Sequence, residues 1–129
     1  MFTTKFETPD IDNFLRLRQI TGLSPRSRKA AEIGLPNSLF AITIFNEATP
    51  IGMGRVVGDG GLNFEIVDVA VDPKYQGQGL GRMIMTQIMD FLNENTPESC
   101  YISLIADVSA LYEKFGFKKV TGEGMGLRK

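Results

Sequence analysis

The sequence contains no histidine and a single cysteine, Cys100, among its 129 residues. Without histidine, Ser-His and Cys-His nucleophile pairs are excluded, and so is the commonest zinc ligand. One cysteine excludes an intramolecular disulfide framework and fits a reducing compartment. The strand-like surroundings of Cys100 favour a buried, inert thiol. We therefore expect no metal site.

Long hydrophobic runs and an excess of charge of one sign are also lacking. No apolar stretch approaches the roughly 20 residues that span a bilayer, and the N-terminus lacks the apolar core of a signal peptide. Lysine and arginine number 14 against 15 aspartate and glutamate, which gives a net charge of −1. Such a balance gives no sign of the basic surface that binds nucleic acid. We expect a cytoplasmic protein that binds neither membranes nor nucleic acid.

The chain has enough hydrophobic residues to form one core. A hydrophobic content of 43% with 22% charged residues is ordinary for a globular protein. A length of 129 residues suits one domain. Since no internal repeat, linker or low-complexity tract is present, residues 1–129 are predicted to form a single domain.

Capping residues and helical spacing predict four helices. Their expected boundaries are an Asp10 cap with an end near Gly22, a Ser24 cap before Pro25 with an end at Gly34 and Pro36, residues 80–95, and an Asp107 cap with an end at Gly116.

Apolar runs predict six strands. These cover residues 39–45, 51–57, 64–71 and 101–106, with a closing pair over 117–120 and 125–127. The long helix joins the third strand to the fourth, and such a crossover implies a parallel pair within an otherwise antiparallel sheet. The predicted class is mixed α+β, with a mostly antiparallel sheet flanked by helices.

The most informative stretch is a glycine-rich turn between a strand and the long helix. It begins at Val69 and ends at Arg82. Glycine lets the backbone approach a phosphate closely, and the free N–H groups of a helix N-terminus bind anions. A Walker A loop requires Lys-Ser/Thr after its last glycine, and a Rossmann fingerprint requires glycine where Arg82 stands. What remains is the pattern Gln76-x-x-Gly79-x-Gly81.

This pattern resembles the central signature of the GNAT superfamily of acyl-CoA-dependent N-acyltransferases, Arg/Gln-x-x-Gly-x-Gly/Ala. A second family signature is similar to Ala110-Leu111-Tyr112-Glu113-Lys114-Phe115-Gly116-Phe117. The resemblance covers nearly the whole chain in element order and is sharpest over residues 64–117. It implies an acetyltransferase in which the parallel strands splay apart to admit the pantetheine arm of acetyl-CoA.

The resemblance also implies how acetyl-CoA, the co-substrate, is held. Backbone groups of Val69 and Val71 would pair with the pantetheine amides as an added strand does, and the turn would hold the pyrophosphate. The implied binding residues are Val69, Ala70, Val71, Gln76, Gly77, Gln78, Gly79, Leu80, Gly81 and Arg82. Long basic side chains such as Lys74 and Arg82 either approach the phosphates or are simply solvated.

Two residues are candidates for the proton transfers of amine acetylation. Tyr112 occupies the family's tyrosine position near the CoA sulfur and suits the acid, although a core aromatic would look the same. Glu65 lies on the strand where several family members carry the base, although an exposed strand residue would look the same. Strand alternation predicts that Glu65, Val67, Val69 and Val71 share one face. A backbone N–H near Val69 would polarise the thioester carbonyl.

Two aspartates are expected to be structural. Alternation places Asp68 on the opposite face from Glu65, where it would make hydrogen bonds. Many family members carry asparagine where this chain has Asp107, and an ionised carboxylate cannot donate the hydrogen bond that an amide would.

The acceptor is the least determined part of this prediction. In this family the first two helices and their loops usually set specificity, and Leu23, Leu35 and Phe40 either line an apolar wall there or belong to the core. We predict an N-acetyltransferase that acts on a primary amine of a small molecule, by direct attack in a ternary complex. The alternatives are a protein or peptide N-acetyltransferase and a non-catalytic CoA-binding module. The closing strands offer edges for a homodimer.

Overall fold

The structure, a computed structural model, describes residues 1–106 and 109–129. It has five strands and four α-helices in those ranges. In chain order they are β1 (Phe2–Lys5), α1 (Ile11–Ile20), α2 (Arg28–Gly34), β2 (Phe40–Asn46), β3 (Thr49–Gly58), β4 (Asn63–Val71), α3 (Leu80–Asn95), β5 (Tyr101–Ser103) and α4 (Ser109–Glu113), with single 3-10 turns at Leu35–Asn37 and Pro73–Tyr75.

The five strands form one sheet in the order β1-β2-β3-β4-β5. Every neighbouring pair is antiparallel except β4 and β5, which are parallel. This confirms the predicted mixed α+β class. The parallel pairing ends where Glu65 meets Ser103, whereas β4 continues to Val71. The two strands therefore separate beyond Glu65, as the splayed pair predicted.

Helices cover both faces of the sheet and divide the core in two. On one face α3 buries Ile84, Ile88 and Leu92 against β2, β3 and β4. On the other face α1 buries Phe14 and Leu17 in a smaller cluster. The apolar residues of α3 recur every three or four positions, which is why the helix has one buried side.

The first helix has the predicted cap, whereas the predicted cap of the second is wrong. Asp10 accepts a hydrogen bond from the Asn13 backbone N–H at 3.2 Å. The second helix is capped by Ser27, whose Oγ accepts from the Ala30 N–H at 3.0 Å. Ser24 is not the cap because its carbonyl and hydroxyl oxygens accept from the Arg18 guanidinium.

The chain ends differ most from the prediction. The closing strands predicted over residues 117–120 and 125–127 are wrong, because neither segment forms a strand. Met125 and Leu127 are 94% and 99% exposed, and such short, glycine-interrupted runs bury too little to hold an edge strand. The first strand, β1, was not predicted, because it is only four residues long and has one apolar side chain.

Four further expectations from the sequence concern Asp107, Cys100, membrane-spanning helices and metal ligands. The predicted Asp107 cap lies outside the described residues. Cys100 is half-buried and packs against the larger core cluster. In residues 1–106 and 109–129, no helix has the length and apolar character needed to cross a membrane, and no three His, Cys, Asp or Glu side chains gather as metal ligands would.

Candidate functional site

A cleft of about 390 Å³ opens at the end of β4, where β5 no longer pairs with it. Four parts of the chain meet there: the end of β4, the glycine turn with the start of α3, the loop after α1, and α4. The lining residues are Thr21, Leu23, Val69, Ala70, Val71, Gln76, Gly77, Gly79, Leu80, Gly81, Leu111 and Tyr112. Most of the predicted site residues are thus brought together.

The end of β4 is shaped by a β-bulge at Asp68. The backbone φ of Asp68 is 58°, and the register with β3 slips by one residue between the Arg55–Val67 and Met53–Ala70 pairs. An extra residue reverses which side chains face which way beyond it. The bulge therefore re-aims the last three residues of the strand towards the cleft.

The bulge makes the predicted common face of the odd-numbered β4 residues wrong. Val69 and Val71 pack with the α3 face of the core. Val67 lies with α2 residues on the other face, and Glu65 alternates with two residues of the α3-face cluster. Strand alternation is lost at the bulge, and sequence alone did not show where that insertion falls.

Hydrogen bonds from its own polar side chains hold the turn after β4 in place. Asp72 accepts a hydrogen bond from the Lys74 N–H at 3.0 Å, and the Gln76 side-chain amide donates to the Val71 carbonyl at 3.0 Å. Gln76 therefore fixes the turn to the strand end. The Lys74 side chain is exposed.

The glycines of the turn leave open space where a ligand would lie. Gly77 and Gly79 have φ angles of 79° and 81°, which side-chain-bearing residues rarely adopt. No heavy atom lies within 4 Å of the position that a Cβ would take at either residue. A side chain at either position would occupy this open space without contacting a neighbour. Glycine keeps the space free, so that the backbone can approach a bound group.

The N-terminus of α3 adds hydrogen-bond donors to this space. The helix begins at Leu80, and its first backbone bond joins the Met83 N–H to the Gly79 carbonyl at 3.0 Å. The preceding N–H groups of the first turn have no acceptor within the helix. Together with the helix dipole they form a site suited to phosphate oxygens, so these residues fit a pyrophosphate.

Tyr112 enters the cleft from α4 and is 7% exposed. Its carbonyl accepts from the Phe115 and Phe117 N–H groups, at 2.9 and 3.3 Å, and Gly116 has a φ of 92° that lets the chain turn back. This turn holds the tyrosine at the end of a short helix. Leu111 packs near Gly81, 3.7 Å from the position of a Cβ there.

Five residues predicted for the site or its wall do not line the cleft. One of them, Leu35, is buried in the smaller core cluster with α1. Gln78 and Arg82 are exposed beside it. Phe40 stacks on the ring of Phe91, with centroids 4.7 Å apart, and belongs to the α3-face core. Glu65 lies where β4 still pairs with β5. Of the three predicted wall residues, only Leu23 lines the cleft.

Behind the bulge lies an ion cluster that sequence reasoning missed. Arg18, 5% exposed, binds one carboxylate oxygen of Asp68, and Arg55 Nε binds the other at 2.6 Å. Burial lowers the pKa of Arg18, while the neighbouring carboxylate opposes that shift. The available signal was an arginine on the buried face of α1, four residues after Phe14. Thr21, at the end of α1, was also missed as a lining residue.

Comparison with known proteins gives consistent results. Residues 37–119 match the family model for the acetyltransferase (GNAT) domain. A crystal structure of a probable acetyltransferase of unknown function from meticillin-resistant Staphylococcus aureus has a TM-score of 0.95 and 45% identity over 100% of both chains. The ribosomal-protein-S18-alanine N-acetyltransferase from Escherichia coli has a TM-score of 0.75 and 25% identity, covering 94% of this chain and 80% of that one.

Curated relatives are longer than this chain. The uncharacterized N-acetyltransferase ycf52 of Pyropia yezoensis is 30% identical over 114 residues, which cover 83% of this chain and 66% of that protein. The chain thus spans 66% of the length of this relative.

Proposed function

The chain belongs to the GNAT family of acetyltransferases, and we propose that it moves an acetyl group from acetyl-CoA to a primary amine of a small molecule, in a ternary complex. The observation that carries this proposal is that one cleft is lined by the unpaired end of β4, the glycine turn, the start of α3 and Tyr112. The first three suit the donor, and the fourth suits the chemistry.

The residues of the donor side divide into two groups. The backbone of residues 69–71, free of β5, pairs with the pantetheine amides as an added strand. The N–H groups of the turn and of the first turn of α3 bind the pyrophosphate, and the exposed Gln78 and Arg82 reach the phosphates from the solvent side. Acetyl-CoA supplies the activated thioester carbonyl.

The reaction forms a C–N bond and breaks a C–S bond. A backbone N–H near Val69 stabilises the negative charge that develops on the carbonyl oxygen. Tyr112 gives its hydroxyl proton to the departing thiolate, and the attacking amine loses one proton to a base. A proton from solvent then restores the Tyr112 hydroxyl.

Glu65 is the proposed base, acting through water. It lies four residues before Val69, roughly 13 Å along a strand, and does not line the cleft. A carboxylate outside the cleft does not contact the amine directly, so bridging waters carry the proton from the amine to Glu65.

The acceptor approaches past the loop that follows α1. Leu23 and Thr21 line the cleft there, and we assign them to the acceptor side. Phe40 is left out of the acceptor wall because its ring is stacked in the core.

A second candidate function is acetylation of a protein or peptide amine. It is favoured by the likeness to the Escherichia coli ribosomal-protein-S18-alanine N-acetyltransferase. In that case the same cleft would hold the donor, and only the acceptor side would differ.

The test is acetyl-CoA turnover, followed by release of the free CoA thiol, against a set of small primary amines, amino acids and peptides. Turnover that is fastest with small amines supports the proposal. Turnover with peptides alone transfers the assignment to the second candidate. Tight binding of acetyl-CoA with no turnover on any acceptor overturns both and indicates a CoA-binding module.

A further inference from the structure

Arginines gather around the hydroxyl of Ser24, in the loop between α1 and α2. Its Oγ accepts from Arg18 Nη2 at 3.1 Å, Arg26 Nη1 at 3.1 Å and Arg128 Nη2 at 2.7 Å. Arg128 comes from the far end of the chain, so three separate segments bring their guanidinium groups to one neutral oxygen.

The described residues do not provide enough acceptors and carboxylates for these guanidinium groups. A hydroxyl oxygen has two lone pairs, so it cannot satisfy three donors fully. The carboxylate of Asp68 is shared by Arg18 and Arg55. Among the ion pairs of residues 1–106 and 109–129, none involves Arg26 or Arg128. Of these four arginines, only Arg18 and Arg55 therefore have an acidic partner among the described residues.

The unbalanced charge lies beside the loop after α1 that lines the cleft, and Arg26 itself lines a second cavity, together with α2 and Asp68. Ser24 follows Leu23 directly, and both Leu23 and Thr21 line the cleft. The proposed pyrophosphate donors belong to other parts of the chain, the glycine turn and the first turn of α3. An anion drawn to Arg26 and Arg128 would thus belong to the acceptor rather than to acetyl-CoA.

We infer that the acceptor is a small amine that also carries a carboxylate or a phosphate group, and that Arg26 and Arg128 bind this group beside Ser24. The inference rests on the proposed function. Arginine presents paired donors that match the oxygens of either anion. The two exposed arginines bind the anion, while the buried Arg18 holds Ser24 in place from behind.

The test compares amines that differ only in the anionic group. The pairs are 3-aminopropanoate against 3-aminopropanamide, and 2-aminoethyl phosphate against 2-aminoethanol. The measured quantity is the ratio of kcat/KM for the charged member to that for the neutral one, in wild type, in the double variant Arg26→Gln/Arg128→Gln and in Arg28→Gln. The last is a matched control, because Arg28 is already paired with Asp12.

The wild type is expected to prefer the charged member of at least one pair, and the pair that shows it tells carboxylate from phosphate. This ratio should fall about tenfold in the double variant, the size of one lost charge-assisted contact, and stay within twofold in Arg28→Gln. A wild-type ratio near one, or an equal fall in both variants, overturns the inference.

A binding measurement distinguishes failure of the proposed function from failure of the anion site. If no amine is acetylated, titration calorimetry with 3-aminopropanoate and 2-aminoethyl phosphate, in the presence of CoA, decides the anion site alone. Binding to wild type that weakens about tenfold in the double variant supports the site. Equal binding to both proteins, or none to wild type, overturns it.

Discussion

At the scale of single residues, Asp68 has two tasks in one place. Its φ of 58° makes the bulge that turns residues 69–71 towards the cleft, and its carboxylate binds Arg18 and Arg55 behind them. Aspartate and asparagine adopt this left-handed conformation more readily than most residues. A change to asparagine therefore removes the charge and keeps the backbone.

Asp68→Asn should lower the free energy of unfolding by about 3 kcal/mol, because it leaves the buried Arg18 cation without its counter-charge. Urea denaturation at pH 7 measures the loss. Asp12→Asn is the control, since the Asp12–Arg28 pair is exposed and worth less than about 1 kcal/mol. Equal losses in the two variants would show that the buried cluster does not depend on the charge of Asp68.

Tyr112→Phe tests whether Tyr112 is the general acid or only an aromatic residue of the core. Phenylalanine keeps the packing of a side chain that is 7% exposed but removes the proton donor. We expect kcat to fall about 10²-fold, with the KM for acetyl-CoA within threefold of wild type. Tyr101→Phe, at a tyrosine that is 53% exposed on β5, should leave kcat unchanged. An unchanged kcat in Tyr112→Phe would leave Tyr112 as a core residue only.

Glu65→Gln tests the base. Loss of the carboxylate should lower kcat/KM for the amine about 10²-fold at neutral pH. Glu94→Gln, an exposed substitution of the same kind on α3, should leave kcat/KM unchanged. If Glu65→Gln has the same kcat/KM as wild type, the base is not Glu65.

The sequence predicted best those residues whose backbone conformation follows from the local chain. Gly77 and Gly79 are needed for their backbone conformation, which neighbours in sequence determine. Arg18 and Arg128 matter through contacts with Asp68 and Ser24, 50 and 104 positions away. No local pattern contains such partners, so these residues became visible only in the folded chain.

At the scale of elements, the glycine turn can be tested without disturbing the core. Gly79 and Gly60 have φ angles of 81° and 82°, and at both a Cβ would meet no heavy atom within 4 Å. Alanine at either position should cost about 1–2 kcal/mol of stability for the left-handed backbone. Only Gly79→Ala should also raise the KM for acetyl-CoA, by about tenfold, because its methyl group enters the donor space.

Thermal denaturation and steady-state kinetics on the two variants make this comparison. Gly60 lies in the β3–β4 loop and serves as the matched control. Similar stability losses with similar KM values would mean that the turn at Gly79 does not approach the donor.

Elements were predicted well where one face is buried over many residues. The long helix α3 was predicted with the bounds that the structure shows, because five buried side chains recur along its length. Short edge segments were predicted poorly: β1 was missed, β5 ends at Ser103, and the closing strands are absent from the described residues after Gly116. Edge strands have few buried positions, so their patterns are weak.

At the scale of the whole molecule, the sheet supplies both the rigidity and the opening that the site needs. Two core clusters hold the sheet from opposite faces, and the α3 cluster includes Tyr112. The parallel pair holds only as far as Glu65, so the cleft opens inside a packed fold rather than between mobile parts. The loop after α1, which lines the cleft, is also contacted by Arg128 through Ser24, 104 positions away in the sequence.

Stability of the whole molecule should fall in acid, partly through carboxylates that accept hydrogen bonds in loops and caps. The hydrogen bond from the Asn13 side chain lowers the pKa of Asp10 from its ordinary value; burial opposes this effect, and the Asn13 backbone N–H adds to it. Backbone N–H groups, led by that of Gly61, lower the pKa of Asp59 likewise. A lowered folded-state pKa gives stability that is present above the unfolded value and lost as pH falls through the folded one.

The double variant Asp10→Asn/Asp59→Asn tests this, because asparagine keeps an oxygen acceptor at each site but takes up no proton. Urea midpoints between pH 3 and pH 7 should run parallel to those of wild type above about pH 5. Below about pH 4 the variant should lose stability less steeply, since two carboxylates no longer bind protons on unfolding. Asp90→Asn, an exposed site on α3 with no hydrogen bond among the described residues, should follow wild type throughout. A double variant that loses stability in acid as steeply as wild type would show that Asp10 and Asp59 do not contribute to the acid sensitivity.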